Sequence, residues 1–115
     1  MPNLVFGLMN YFRITTHLSE ILEESDKQVV IIFKYSNDCA SSTRLKIKLE
    51  KEMTEKTLTA SVFLVTVQTE PVLSKKISEL FDIKHESPQI IILNKRRVTY
   101  SAHHNNIKIE NFVFI

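Results

Sequence analysis

Residues 29–42 read Val-Val-Ile-Ile-Phe-Lys-Tyr-Ser-Asn-Asp-Cys-Ala-Ser-Ser: an apolar run, a polar segment and then the single cysteine of the chain. The run Val29–Phe33 is β-branched or aromatic throughout and shows no polar alternation. Such a run is typical of a strand that is covered on both faces. The polar residues Lys34–Asp38 predict a turn after this strand. Cys39 is therefore expected just beyond the end of a central strand.

Helices are predicted on both sides of this strand. One covers Ala40 to about Lys56, because apolar residues recur there every four positions. Its predicted buried residues are Leu45, Ile47, Leu49 and Met53. An earlier helix is predicted from Thr16 to Lys27, with Thr16 as its N-cap. A third is predicted to begin at Glu70-Pro71, since proline suits the first turn of a helix. Its predicted buried face consists of Val72, Leu73, Ile77, Leu80 and Phe81.

Three further strands are predicted at Ser61–Val67, Pro88–Leu93 and Val98–Ala102, the last two joined by a tight turn at Asn94–Arg97. The tail Asn106–Ile115 is predicted as a closing helix. The resulting order is αβαβαββα, in which a crossover helix makes two strands parallel and the short hairpin makes the last two antiparallel. This is the order of an α/β thioredoxin-like fold, a central four-stranded mixed sheet flanked by helices.

Length and composition indicate one domain over residues 1–115, with residues 1–14 as a peripheral N-terminal extension. The chain has 115 residues, 43% of them hydrophobic, and a net charge of +2. That charge is too small and too dispersed for a nucleic-acid surface, and we interpret Lys95-Arg96-Arg97 as a charged hairpin turn. The apolar stretch Leu4–Met9 is too short for a membrane span and lacks the layout of a signal peptide. We therefore expect a cytoplasmic protein without membrane or nucleic-acid partners.

Cys39 is a candidate nucleophile. A helix N-terminus stabilises a thiolate and lowers the pKa of a cysteine. The alternative is a buried, inert thiol, but the neighbouring residues are polar. Ser42 lies three positions later, where a Cys-x-x-Cys protein has its second cysteine. A serine there can bond to the thiolate but cannot close a disulfide, which predicts monothiol chemistry. Alternatively, Ser42 is an ordinary residue of the first helical turn.

Other polar residues are weaker candidates. The pair Ser87-Pro88 precedes the third strand, where thioredoxin-like folds carry a cis-proline whose preceding residue offers its backbone to a substrate. Lys34 and His104 are candidates for stabilising the thiolate, although ordinary solvated positions are the alternative for both. No metal site is predicted, because His103 and His104 are adjacent and neighbouring residues of a strand point to opposite faces.

Three segments resemble the monothiol bacilliredoxins of the bacillithiol system: Phe33–Ser42, Val67-Gln68 and the specific run Ile83–Gln89 (Ile-Lys-His-Glu-Ser-Pro-Gln). The resemblance extends from about Ser19 to Ile109. It implies a thioredoxin fold and a thiolate that attacks client proteins carrying a bacillithiol mixed disulfide. Free bacillithiol, the low-molecular-weight thiol co-substrate, would then regenerate the enzyme, and no bound cofactor is implied.

The resemblance also implies roles for individual residues. Cys39 corresponds to the nucleophile and Ser42 to its non-resolving partner. Pro88 corresponds to the cis-proline, with Ser87 and Gln89 beside the substrate groove. The histidine of the family corresponds to His104.

The chain departs from the family pattern at two places. Ala40-Ser41 stands where the family has proline and an aliphatic residue, and Asn105 replaces a tryptophan. Two alternatives therefore stay open: a non-catalytic thioredoxin-fold binding or scaffold protein, and a glutaredoxin-like deglutathionylase. An iron–sulfur glutaredoxin is not indicated, since its Cys-Gly-Phe-Ser motif is missing. Client proteins and oligomeric state are not predicted.

Overall fold

Four strands form one mixed sheet in the order β2-β1-β3-β4. The computed structural model describes residues 12–55 and 58–112. The strands are β1 (Val30–Tyr35), β2 (Ser61–Thr66), β3 (Gln89–Asn94) and β4 (Arg97–His103). β1 pairs parallel with β2 and antiparallel with β3, which pairs antiparallel with β4. The α-helices are α1 (Leu18–Lys27), α2 (Ala40–Thr54) and α3 (Pro71–Phe81). The predicted α/β, thioredoxin-like fold is confirmed.

The central strand β1 is buried on both faces, as its apolar run predicts. Its side chains alternate between two cores. Ile31 and Phe33 pack against the buried face of α2, whereas Val30 and Ile32 pack against α1 and α3. The α2 core also contains Leu45, Leu49, Met53, Leu58, Val62, Ile90, Ile92 and Phe112. The other core also contains Ile21, Phe63, Val65, Leu73, Ile77, Ile91 and Leu93.

Some predicted core positions are wrong. Ile47 is 60% exposed, because it lies two residues from both Leu45 and Leu49 and hence about 200° around the helix from each. Val72 and Leu80 are 66% and 53% exposed. The inward positions of α3 are taken by Leu73, Ile77 and, at the end of the helix, Phe81.

The start of α1 also differs from the prediction. His17, not Thr16, is the N-cap, and its backbone N–H donates to Thr15 Oγ1 at 3.0 Å. The predicted N-cap at Thr16 is therefore wrong. The threonine that accepts a hydrogen bond here is Thr15, and its donor is the backbone of the N-cap residue His17. The predicted end of α2 at Lys56 lies outside the described residues.

The basic run is a hairpin turn, as predicted. Lys95 and Arg96 both have left-handed backbones, with φ of 50° and 67°, the conformation that a two-residue hairpin requires. The backbone N–H groups of these two residues donate to the carbonyl and the hydroxyl oxygen of Ser25. The Arg96 guanidinium also pairs with Asp26 at 2.9 Å. The turn is thereby held against the end of α1.

The predicted closing helix is replaced, over its described part, by two 3-10 turns, His104–Asn106 and Ile109–Asn111. The β-branched residues at 107 and 109 disfavour a continuous α-helix. Phe112 follows at 1% exposure, with its ring centroid 6.0 Å from that of Tyr100. Residues 113–115 of the predicted helix lie outside the described part.

The segment before α1 is tied to the sheet. The backbone N–H of Arg13 donates to Val62 O at 2.8 Å, and the N–H of Leu64 donates to Arg13 O at 2.9 Å. The Arg13 guanidinium pairs with Glu24 at 3.0 Å. The extension predicted for residues 1–14 is thus, at its described end, part of the sheet edge. Leu4–Met9 lies outside the described residues.

Glu24 is the polar anchor of this corner. Hydrogen bonds from the hydroxyl of Ser61 and from Gln28, followed by the interactions with Arg13, lower the pKa of Glu24 to about 2, although burial opposes the shift.

No helix in residues 12–55 and 58–112 is long and apolar enough to cross a bilayer.

Candidate active site

Cys39 lies at the N-terminus of α2, where the sequence places it. It is the N-cap residue, with an extended backbone (φ −115°, ψ 121°), and its carbonyl accepts the N–H of Thr43 at 3.0 Å. β1 ends at Tyr35, so only three residues separate the strand from the thiol. The side chain is partly exposed. A thiol at this position is fixed by a helix and remains accessible to a partner molecule.

The pKa of the Cys39 thiol is lowered by its neighbours. The largest contributions come from the backbone N–H and the hydroxyl of Ser42, while partial burial opposes them and the same groups of Ser41 add to the lowering. These groups favour the anion, since a donor facing a sulfur stabilises the thiolate more than the thiol. A larger share of Cys39 is therefore thiolate at neutral pH than for a free cysteine, and the thiolate is the nucleophile.

Ser42 is a fixed part of this arrangement. Its side chain is fully buried, and its hydroxyl oxygen accepts the backbone N–H of Ser36 at 3.3 Å. The hydroxyl proton is then available to the sulfur. Ser42 is thus a buried residue of the first turn of α2 whose hydroxyl is held by the loop before the thiol.

The loop between β1 and Cys39 is held by Gln68, for which the sequence alone predicts no role. Its amide nitrogen donates to Ser36 Oγ at 2.8 Å, and its amide oxygen accepts the N–H of Asn37 at 3.2 Å. The carbonyl of Ser36 in turn accepts the N–H of Cys39 at 3.3 Å. Gln68 therefore positions the loop that carries the thiol.

The Ser87-Pro88 pair lies at the same edge of the sheet. Gln89, the first residue of β3, pairs with Lys34 near the end of β1. The peptide bond between Ser87 and Pro88 is cis. Pro88 is buried and its carbonyl accepts the N–H of His104 at 3.0 Å, whereas Ser87 is partly exposed. The thiol loop follows the end of β1, and the Ser87-Pro88 segment precedes the start of β3. Because these two strand ends pair with each other, the loop and the segment lie at the same end of the sheet.

Gln89 is buried rather than exposed in a groove. Its side chain is 2% exposed, and its amide nitrogen donates to Lys84 O at 3.0 Å. Its amide oxygen is buried without a hydrogen-bond partner among the described residues. Gln89 therefore contacts the segment before Pro88 from the interior of the protein. It positions this segment rather than lining a groove with its own side chain.

Lys34 faces away from the thiol. Its side chain is fully buried, and its ammonium donates to Ser74 O at 2.9 Å and Ser78 Oγ at 2.7 Å, with His85 Nδ1 at 3.4 Å. Burial lowers its pKa to about 8. Strand alternation puts it on the α3 side, while Cys39 begins α2 on the other. The contacts that the structure describes for Lys34 are Ser74, Ser78 and His85 and do not include the thiol, so its influence on the potential around Cys39 stays a prediction.

A cavity of about 880 Å³ lies next to this lysine. Its lining includes Val67, Pro71, Ser74, Ser78, Ile83 and His85. Val67 also donates its N–H to Tyr35 O at 2.8 Å, directly before the thiol loop. The pKa of His85 is lowered, first by burial and then by the charge of Lys34. The cavity has the size of a small-molecule site.

His104 contacts other partners than the thiol. Its Nδ1 lies 3.0 Å from His103 Nδ1 and 3.7 Å from Glu86 Oε1. The expectation that His103 and His104 point to opposite faces is wrong, because β4 ends at His103 and His104 has a left-handed backbone with φ of 50°. The described contacts of His104 thus give no support to a role at the Cys39 sulfur.

A mixed sheet of this order, with a cysteine at the helix that follows β1 and a proline before β3, defines a thioredoxin-fold protein. Solved structures with this fold are similar to the chain. One, described as having a thioredoxin fold, has a TM-score of 0.76 and 20% identity and covers 91% of this chain and 92% of its own. Oxidised thioredoxin from Plasmodium falciparum has a TM-score of 0.66 and 19% identity, covering 89% and 94%. A mutant thioredoxin from Halobacterium salinarum has a TM-score of 0.68 and 12% identity, covering 89% and 84%. At these identities the likeness concerns the fold alone.

The chain belongs to the monothiol bacilliredoxin family. The family model described as "Monothiol bacilliredoxin BrxC" matches residues 12–112. No curated protein matches the chain significantly. Family and fold together support a thiol redox role for this protein.

Proposed function

We propose that this protein is a monothiol thiol-disulfide oxidoreductase that removes bacillithiol from protein mixed disulfides. The observation that carries the proposal is the partly exposed Cys39 thiol at the N-terminus of α2, with its pKa lowered and with Ser42 where a dithiol enzyme has its second cysteine. The proposed partners are S-bacillithiolated client proteins and free bacillithiol in the cytoplasm. No bound cofactor takes part.

In the first step the Cys39 thiolate attacks the bacillithiol sulfur of the client's mixed disulfide. A new disulfide forms between Cys39 and bacillithiol, while the client's sulfur–sulfur bond breaks and the client leaves as a thiolate. Disulfide is exchanged for disulfide, so no outside oxidant or reductant is needed. The N–H and the hydroxyl of Ser42 favour the anionic form of Cys39, which is the form that attacks.

In the second step a free bacillithiol thiolate attacks the capped Cys39. Bacillithiol disulfide forms, and Cys39 returns as a thiolate. An internal resolution is impossible because Cys39 is the only cysteine in the chain. Ser42 cannot close a disulfide, so regeneration requires a second molecule of low-molecular-weight thiol.

The Ser87-Pro88 segment is the proposed client surface. Ser87 is partly exposed at the sheet edge that carries the thiol loop, and its backbone is the proposed contact for an extended client segment. Pro88 and Gln89 are buried and hold that backbone from behind.

The test is the intact mass of the reduced protein after mixing with a bacillithiol-capped client, with a glutathione-capped client in parallel. We expect a bacillithiol-sized gain on Cys39 together with an uncapped client. A gain only from the glutathione-capped client would instead make the protein a deglutathionylase. No gain from either would overturn the enzymatic proposal in favour of a binding module.

Two variants sharpen the test. Cys39→Ala is expected to leave the client capped, and uncapping at the wild-type rate would contradict the proposed nucleophile. Ser42→Cys is expected to return a Cys-x-x-Cys pair, so that the captured bacillithiol is released as a free thiol while an internal disulfide forms. The wild type then accumulates the capped form and Ser42→Cys the internally oxidised one, which the same mass measurement distinguishes.

A further inference from the structure

Glu86, His103 and His104 form a cluster that the proposed thiol chemistry does not use. One ligand atom from each of these residues lies within 4.8 Å of the other two. The cluster lies where β4 ends and beside the segment that leads to Pro88. Glu86 precedes the Ser87-Pro88 pair by one residue, and the N–H of His104 donates to Pro88 O at 3.0 Å.

The two histidines are brought together by the backbone. His103 is the last residue of β4, and His104 follows it with φ of 50°. A left-handed residue at this point turns the chain, so that both imidazoles lie on the same side. Their ring centroids are 5.2 Å apart and their planes are nearly perpendicular, at 89°. Left-handed backbone is uncommon for a residue other than glycine, although histidine adopts it more readily than most.

The spacing of the ligand atoms suits one metal ion. The Nδ1 atoms of His103 and His104 are 3.0 Å apart. Two imidazole nitrogens at about 2.0–2.1 Å from one ion are separated by about 2.9 Å at a right angle and about 3.4 Å at the tetrahedral angle. The observed separation lies between these two values. The separation of the two Nδ1 atoms is therefore compatible with binding to a single ion.

The carboxylate completes the set. Glu86 Oε1 lies 3.7 Å from His104 Nδ1, while the other oxygen is 3.9 Å from the ammonium of Lys84. That lysine side chain is 89% exposed and competes weakly for the carboxylate. Coordination of one ion by all three groups requires the carboxylate to move closer to the imidazoles than the 3.7 Å that now separates it from His104. Two imidazoles and one carboxylate favour zinc and its divalent transition-metal neighbours over magnesium or calcium, which prefer all-oxygen sites.

We propose that Glu86, His103 and His104 bind a divalent transition-metal ion such as Zn²⁺, through both Nδ1 atoms and one carboxylate oxygen, with the remaining positions open to water. The ion links the end of β4 to the segment before Pro88. This site is separate from the Cys39 chemistry and does not depend on the proposed function.

The test is isothermal titration calorimetry of Zn²⁺ into the full chain carrying Cys39→Ala, so that no thiolate contributes to affinity. We expect one bound ion per chain, and binding at least about tenfold weaker after a further His103→Ala or His104→Ala, because a direct ligand contributes no less than a supporting group does. Glu86→Gln is expected to weaken binding as well. His17→Ala, which removes an exposed histidine elsewhere, is the matched control and is expected to change nothing.

A second measurement does not depend on calorimetry. Zn²⁺ is expected to raise the melting temperature of the Cys39→Ala chain and not that of its His104→Ala derivative, because an ion bound only to the folded state stabilises it. His103 and His104 are exposed, so these variants retain the core. No binding to Cys39→Ala, or equal affinity with and without His103 and His104, would overturn the site. Neither outcome affects the bacillithiol test, which requires Cys39.

Discussion

Cys39 and Lys34 lie five residues apart, and the pKa of each is lowered, but for opposite reasons and with opposite results. Ser42 and Ser41 lower the pKa of the partly exposed thiol by stabilising its anion, so the group gains charge. Burial lowers the pKa of the lysine to about 8 by penalising its cation, so the group approaches neutrality. Hydrogen-bond donors thus prepare a reactive group, whereas desolvation alone puts a charge where it destabilises the fold.

The two groups also occupy different sides of the sheet. The thiol begins α2, on the side of Phe33, and the lysine faces α3, on the side of Ile32. Among the described residues no carboxylate pairs with the Lys34 ammonium, whose contacts are Ser74, Ser78 and His85. Two kinds of variant test this difference between the two sites: one removes a donor to the thiol, and the other removes the buried cation.

Removing the cation is expected to have the largest effect. Lys34→Met replaces a buried ammonium with a side chain of similar length, and Ser74 O still has its helical hydrogen bond. A pKa that falls from 10.5 to about 8 on folding corresponds to a penalty of about 3 kcal/mol for the charged form. We therefore expect the variant to gain about 1–3 kcal/mol in the free energy of unfolding at pH 7, measured by urea titration.

The pH profile of this stability is a sharper readout. Between pH 8 and 10.5 the unfolded chain holds a proton on Lys34 that the folded chain has lost, so the stability of the wild type rises through this range. Below about pH 8 both states are protonated and this contribution is flat. Lys34→Met is expected to lose the rise, while the exposed Lys75→Met on α3 should retain it. An unchanged profile for Lys34→Met would contradict the buried-cation interpretation.

Removing the hydroxyl donor of Ser42, the second-largest cause of the lowered thiol pKa, is expected to have a smaller effect. Ser42→Ala deletes the hydroxyl and keeps the backbone N–H, so the pKa of Cys39 should rise toward its ordinary value. We expect transfer from a capped client at pH 7 to slow by roughly threefold to tenfold, since one hydrogen bond to the anion is lost. Thiolate absorbance against pH measures the pKa. Ser41→Ala should give a smaller shift, and the reverse order would contradict the assignment to Ser42.

The smallest expected effect tests whether the two sites communicate. Lys34→Met should raise the pKa of His85, because the charge of Lys34 is the second cause of its lowering after burial. The pKa of Cys39 should stay unchanged, because no contact joins Lys34 to the thiol. Imidazole chemical shifts against pH report the first quantity and thiolate absorbance the second. A shifted thiol pKa in this variant would support the thiolate-stabilising role predicted for Lys34 from the sequence.

Most of the fold could be predicted because hydrophobic pattern specifies it locally. The unbroken run from Val29 to Phe33 indicated a strand buried on both faces, and Pro71 marked the first turn of α3. The wrong predictions lie where the same hydrophobic pattern is compatible with two different structures. Ile47 is apolar but lies on the outer face of α2, and β-branched residues in the tail gave 3-10 turns in place of a helix.

The candidate site could be predicted only where the positions of residues along the chain determine which of them lie together. The separation of Cys39 and Ser42 was enough to indicate a monothiol arrangement. The direction of Lys34 was not evident, since a polar residue at the end of an apolar run reads as part of the turn. The clustering of Glu86, His103 and His104 depends on one left-handed residue, which no local pattern of residue types announces.

Arg13 covers part of the outer edge of β2. An edge strand presents unpaired N–H and C=O groups to which a second chain can add, and this is a common origin of aggregation. The two backbone hydrogen bonds of Arg13 occupy part of that edge, and its pairing with Glu24 fastens the segment to α1. A protein cleaved between Arg13 and Thr15 would keep its thiol, yet expose a strand edge open to other copies. The arginine thereby occupies part of a strand edge to which a second chain could otherwise add.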